Sequence, residues 1–175
     1  LPTLPENLIK FVNWVADYNM SALGNVLKMC LSVKFIKKQH EPKNQEINFT
    51  LTSLTKPQEE AAQVLRNDVK DSKFSVSLLD GVTGSGKTEV YFEAIDEAIS
   101  EGKQVLVLLP EIALSIQWLE RFKNRFGVEP HIWHSDRTPK QRRETWLDVC
   151  SGNAKLVVGA RSALFLPFKN LGAII

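Results

Sequence analysis

Residues 75–102, SVSLLDGVTGSGKTEVYFEAIDEAISEG, decide how this chain is to be read. Val76, Leu78 and Leu79 form an apolar run that predicts a strand, and Tyr91, Ile95, Ala98 and Ile99 recur at helical spacing. Between them lies Gly81-Val82-Thr83-Gly84-Ser85-Gly86-Lys87-Thr88, a complete G-x-x-x-x-G-K-T turn. Such a turn wraps phosphates with its backbone N–H groups, and glycines let that backbone come close and take positive φ. The helix that follows aims its positive end at the same place. In this pattern Lys87 reaches the β- and γ-phosphates and the Thr88 hydroxyl holds Mg²⁺. A solvated turn with an ordinary surface lysine is the bland alternative; it leaves the flanking strand and helix signals unused.

Working outward towards the C-terminus, Gly102 stops the helix and Gln104–Leu109, QVLVLL, reads as a parallel strand buried on both faces. A helix with Leu119, Phe122 and Phe126 on one side ends at Gly127, and residues 130–134 suggest a third strand. Thr138-Pro139-Lys140-Gln141 has the form of a capping box for a helix carrying Trp146, Leu147 and Cys150 and ending at Gly152. Lys155–Val158 and Leu171–Ile175 are further strands, the last read as buried. Strands alternating with helices predict an α/β, mostly parallel, doubly wound sheet, with ligands beyond the carboxyl ends of the strands. That rule gathers four loops on one rim, 81–88, 110–115, 134–137 and 159–164. His134 reads as a strand-end histidine bonded to backbone, Trp146 as core and Arg142 as an ion-pairing residue.

Upstream, Thr55 and Gln58 fit a second capping box with Pro57 in the first turn, and Ala61, Ala62, Leu65 and Val69 give that helix its buried face. Gln58 carries two readings side by side: the cap, and an amide able to offer adenine both a donor and an acceptor. Residues 37–48 are polar and read as a linker or exposed loop that contains a solvated His40. Before them, Leu8, Phe11, Val12 and Val15 share a helical face, and Ser21 is placed to cap a second helix with Leu23, Val26, Leu27, Cys30 and Leu31 on its apolar side. Together they make a helical hairpin too small to hold a core alone. Trp14 and Tyr18 are read as packing this hairpin, with base stacking as the alternative.

The totals agree with a globular chain. It has 175 residues, 43% hydrophobic and 24% charged, and a net charge of +2, too small by itself to argue for nucleic acid. Two cysteines, Cys30 and Cys150, make neither a disulfide framework nor a zinc site. No run approaches the about 18 apolar residues of a membrane span, and no secretory signal is visible, so a cytoplasmic location without membrane contact is expected. The chain begins at Leu1 and stops inside an apolar run, which suggests a fragment of a longer protein. No N-K-x-D guanine reader and no Arg-rich kinase lid are present, and motor-type ATPases remain.

The sequences LLDGVTGSGKTEVYFEAI, VLLPEIALSIQ, HSDRTPKQRRETW and VVGARSALFLPFKNLGAII, in this order from about Leu54 to Ile175, resemble the PriA helicase family, also called primosomal protein N′. FVNWVADYNMSALGNVL is similar to the end of that family's N-terminal DNA-binding region. The resemblance implies a RecA-like P-loop NTPase lobe, truncated and preceded by the helical hairpin. Residues 1–36 would be the end of the DNA-binding region, 37–53 a linker and 54–175 an incomplete helicase lobe 1. It further implies a superfamily 2 helicase that uses ATP and Mg²⁺, moves 3′→5′ on DNA and, with primosome and replication-restart proteins, unwinds forked or single-stranded DNA at stalled forks.

Carried over by residue, Gly81, Val82, Thr83, Gly84, Ser85, Gly86, Lys87 and Thr88 bind nucleotide, with Lys87 and Thr88 catalytic and Thr88 on the metal. Gln58 becomes the adenine reader. Pro110, Glu111 and Ser115, then Arg161 and Ser162, match motifs that touch the DNA backbone. The family's D-E-E-H acids, second motor lobe and zinc module lie beyond the match, so no zinc ligands are expected here and the 175-residue chain is expected to hydrolyse ATP negligibly. Many members have threonine where this chain has Ala160, and most place a winged helix where only about twenty residues stand here. Two rival readings are a P-loop kinase or other phosphotransferase, and a non-catalytic motor remnant that binds DNA or protein.

Overall fold

Apolar side chains on both faces of a strand demand cover on both sides, and the centre of this molecule is built that way. The computed structural model describes residues 3–31, 33, 47–50, 52–71, 73–110 and 116–175. Four parallel strands lie in the order β2 (His131–Trp133), β3 (Leu156–Gly159), β1 (Gln104–Leu108), β4 (Leu171–Ile174). In β1, Val105 and Val107 point to one core while Leu106 points to the other; in β3, Leu156 and Val158 oppose Val157 in the same way. This period of two, apolar on both sides, is what a doubly covered parallel sheet requires.

One face is covered by α4 (Lys87–Ser100) and α5 (Ile116–Phe126), with α3 (Lys56–Lys70) packed on α4. Its centre is aromatic: the rings of Phe122 and Phe126 stack at 4.4 Å, and Phe92 meets Phe126 edge-on at 5.3 Å. Each ring is fully buried and contributes on the order of 2–3 kcal/mol by leaving water. The other face is covered by α6 (Pro139–Ser151), with Trp146, Val149 and Ala154 against Leu106 and Val157. Left-handed glycines end the helices where the sequence predicts, at Gly102 (φ 73°), Gly127 (φ 69°) and Gly152 (φ 86°). Thr138 caps α6, accepting from the Gln141 N–H at 3.3 Å, while the Gln141 side chain accepts from the Thr138 N–H at 3.1 Å.

A buried amide hidden in the apolar run sets where β1 begins. Gln104 is wholly buried; its Nε2 donates to the Val149 and Ala154 carbonyls at 3.1 and 2.8 Å, and its Oε1 accepts from the Lys169 and Asn170 N–H groups at 2.8 and 3.0 Å. Every hydrogen-bonding position of the amide is thus used, which is what makes its burial tolerable.

Three expectations are corrected. Residues 75–79 form no strand, and Val76 and Leu78 are 83% and 92% exposed. A strand exists only where its N–H and C=O groups find a neighbour, and here the segment is held by local polar bonds instead, Ser77 Oγ to Asp68 Oδ2 at 2.5 Å and the Gly81 N–H to Asp80 Oδ1 at 2.8 Å. The strand at 171–174 is not buried; β4 is the sheet edge, and Leu171 and Ile174 are exposed. Ser21 caps nothing: its N–H closes the preceding helix on the Ala16 carbonyl at 2.9 Å, and Ala22 takes the cap position of the next one.

The hairpin, α1 (Glu6–Tyr18) and α2 (Leu23–Cys30), folds onto the α6 side of the lobe. Leu8, Val12, Ala16, Val26 and Cys30 enclose Phe165, and the Trp146 indole donates to the Cys30 carbonyl at 2.8 Å. Residues 48–50 attach to the end of α5, the Asn48 and Thr50 N–H groups bonding to the Phe126 and Arg125 carbonyls at 3.1 and 2.8 Å. The rest of the expected linker, with His40, lies mostly outside the described residues. Burial pushes the Cys30 thiol up to about 11 from 9.0. Cys30 is therefore expected to react with iodoacetamide far more slowly in the folded chain than in urea, read by mass spectrometry. Because the unfolded thiol loses its proton first, this contribution to stability is complete below pH 9 and falls as pH rises towards 11. Alkylation at the unfolded rate would contradict the burial. No helix among the described residues is long and apolar enough to cross a membrane.

Candidate nucleotide site and its rim

The turn from α4 through Gly102 into β1 places the helix's C-terminal end at the start of the strands. Its N-terminus therefore lies at their carboxyl end, and the glycine-rich loop with it. Gly84 and Gly86 both have φ of 82°, a left-handed conformation that side chains resist, and Gly86 is the N-cap of α4. The loop closes on itself through Lys87, whose Nζ donates to the Gly81 carbonyl at 2.5 Å and the Val82 carbonyl at 3.0 Å. Thr88, half-buried, follows in the first turn of the helix. Loop, lysine and helix N-terminus thus converge as an anion site needs: N–H groups at a positive helix end, beside an ammonium whose present partners are uncharged.

Gln58 resolves into a bridge. Its Oε1 accepts from the Thr55 N–H at 2.9 Å, the cap of α3, and its Nε2 donates to the Ser85 carbonyl at 2.9 Å. The same amide lies so close under Gly86 that a β-carbon there would collide with it. Capping and contact with the nucleotide loop are one arrangement.

The neighbouring loops share the rim because the strands they follow are parallel. Pro110, after β1, is exposed, and the Leu109 N–H bonds to the Gly159 carbonyl at 3.1 Å, which ties this loop to the next. Glu111 and Ser115 lie outside the described residues. After β2, His134 Nδ1 accepts from the Asp136 N–H at 3.1 Å, the backbone bond the sequence suggests. After β3, residues Arg161–Phe165 form a 3₁₀ helix with Arg161 and Ser162 exposed and Ala163 and Phe165 buried. Gly159 permits this turn: a β-carbon there would strike the Trp133 carbonyl and come within 3.1 Å of Ala163 Cβ.

Two aromatic side chains of the hairpin differ from expectation. Trp14 stacks on Phe11 at 6.2 Å and on Tyr18 at 5.1 Å, but Trp14 and Tyr18 are 57% and 72% exposed, so the two lie on the hairpin's surface and not in its core. Arg142 lies over the Trp133 ring, 4.6 Å from its centroid, a cation–π contact in addition to any ion pair.

Residues 51–171 match the family described as type III restriction enzyme, res subunit. The chain is 42% identical over 175 residues to the replication restart protein PriA of Rickettsia felis, covering 99% of this chain and 26% of that protein. It is 57% identical over 104 residues to the PriA of Haemophilus influenzae, covering 59% of this chain and 14% of that protein. Against the PriA of Bacillus subtilis it is 43% identical over 122 residues, covering 70% of this chain and 15% of that protein. The chain thus spans about a quarter or less of the length of these curated relatives.

Proposed function

Because this chain belongs to the res-subunit family of helicase-type domains, in its PriA branch, we propose that it is the nucleotide-binding part of an ATP-driven DNA helicase that acts in replication restart. The observation that carries this reading is the placement of Lys87, at the N-terminus of α4, on the same sheet rim as the exposed Arg161 and Ser162. Nucleotide and nucleic acid then meet one rigid sheet through two different loops. A motor needs that arrangement if phosphate chemistry is to move a strand.

The residues from Gly81 to Thr88 fit a triphosphate: two left-handed glycines bring the backbone close, and Lys87 trades its carbonyl partners for phosphate oxygens. Mg²⁺, when bound at the Thr88 hydroxyl, spreads the negative charge of the phosphates. Gln58, joined to the loop through Ser85, is the adenine reader in this proposal, its amide exchanging its present partners for the base. On the DNA side the donors of Arg161 and Ser162 hold phosphodiester oxygens and read no bases, as stepping along any sequence requires, and Pro110, Glu111 and Ser115 belong to the loop that lies along the same backbone in this proposal. The substrate is forked or single-stranded DNA, translocation runs 3′→5′, and the partners are primosome and replication-restart proteins.

Steady-state ATP hydrolysis by the full-length protein, with and without a single-stranded oligonucleotide, tests the reading. The rate is expected to rise several-fold with DNA. A rate indifferent to DNA, together with phosphate transfer to a small-molecule acceptor, would assign the P-loop to a kinase instead.

A further inference from the structure

We infer that the α1–α2 hairpin is a buttress that positions the Arg161–Phe165 turn for the DNA backbone, with Phe11 as a positioning residue acting through Phe165. This rests on the reading that Arg161 and Ser162 bind DNA.

A 3₁₀ turn has poor internal hydrogen-bond geometry and little stability of its own. This one is held by what it buries on two sides. Ala163, Leu166 and Phe168 enter the core formed by Trp133, Trp146 and Leu106 under the sheet. Phe165 turns the other way, into the hairpin, among Leu8, Val12, Ala16, Val26 and Cys30, with the Phe11 ring 5.3 Å away. Arg161 and Ser162 are left exposed. The hairpin is itself fixed to the lobe by the buried bond from the Trp146 indole to the Cys30 carbonyl. A rigid path therefore runs from α6 through α2 and α1 to Phe165, and from there to the two residues that face the DNA. Without the hairpin, Phe165 would lose its apolar enclosure and the turn one of its two anchors.

The test uses the full-length protein and a fluorescent oligo-dT strand followed by anisotropy, with the KM for ATP measured alongside. Arg161→Ala is expected to weaken DNA binding roughly tenfold, as loss of a charge-assisted contact does. Phe11→Ala is expected to weaken it several-fold with the KM for ATP unchanged, and Phe11→Leu, which refills the space, to restore it. The double variant is expected to lose clearly less than the sum of the two effects, because both act through the same turn. Trp146→Phe keeps an aromatic ring in the core while deleting the bond to the Cys30 carbonyl, and is expected to follow Phe11→Ala; it serves should the alanine variant fail to fold. If Arg161→Ala weakens binding while Phe11→Ala and Trp146→Phe bind as wild type, or if the effects simply add, the buttress is overturned and the DNA reading stands. If Arg161→Ala binds as wild type, the DNA reading of the turn fails first.

Discussion

Replacing Lys87 by alanine in the full-length protein should abolish ATP-driven unwinding and lower ATP turnover by about 10²–10³, the loss typical of removing one preorganised electrostatic contact. The ammonium is the charged group of the loop that its own carbonyls hold in place, at 2.5 and 3.0 Å. Alanine leaves the loop glycines and the α4 cap as they are. Because both carbonyl bonds are exposed, their loss costs little, and the melting temperature should stay within a degree or two of wild type. Phosphate release and strand separation measured on the same preparation separate chemistry from folding. Unwinding that persisted in the variant would remove the P-loop from the mechanism.

Arg125→Ala should do the opposite, cutting stability while leaving the site's composition intact. Arg125 is 3% exposed; its Nη2 contacts Glu93 at 2.6 Å and Asp96 at 3.3 Å, and its Nη1 bonds to the Thr50 carbonyl. Glu93 in turn holds Arg66 of α3 at 2.8 Å, so one guanidinium joins α5, α4 and, through Glu93, α3. Removing it leaves two half-buried carboxylates together without their shared cation. The expected cost is about 3–5 kcal/mol, a fall in melting temperature of roughly 6–20 °C. Burial raises the Asp96 carboxyl above the usual range even though Arg125 pulls it down. Without Arg125 it should take up a proton at still higher pH. A raised folded value favours the fold as pH falls, so the loss should be smaller at mildly acid than at neutral pH. Thermal melts across that range check both size and sign; a variant as stable as wild type would make the network incidental.

Local patterns were legible where the physics is local. The apolar run Gln104–Leu108, the stops at Gly102, Gly127 and Gly152, and the Thr138 cap each depend on a few neighbouring residues. The loop 81–88 is of the same kind, since its conformation is written in its own glycines. Pairing and docking were less visible. Val76 and Leu78 have the composition of a strand, yet nothing in residues 75–79 says whether a neighbour will be there. Gln104 hides a four-bond amide inside an apolar run, and its partners lie 45 to 66 residues away. Gly159 reads in the sequence only as the start of a rim loop; that a β-carbon there would meet the Trp133 carbonyl depends on a neighbouring strand. The hairpin's seat on Phe165 follows from shape, which no periodicity reports.

The bond from Trp146 to Cys30 spans 116 residues, and this fixes an order of events on the ribosome. The hairpin is made first but its apolar pocket has nothing to close on until Phe165 appears. At about 5–20 residues per second that wait is roughly ten seconds. During it, Leu8, Val12 and Val26 belong to a nascent chain with an open apolar face, the kind of surface a chaperone holds. A turn synthesised long after the hairpin thus completes the hairpin's own core.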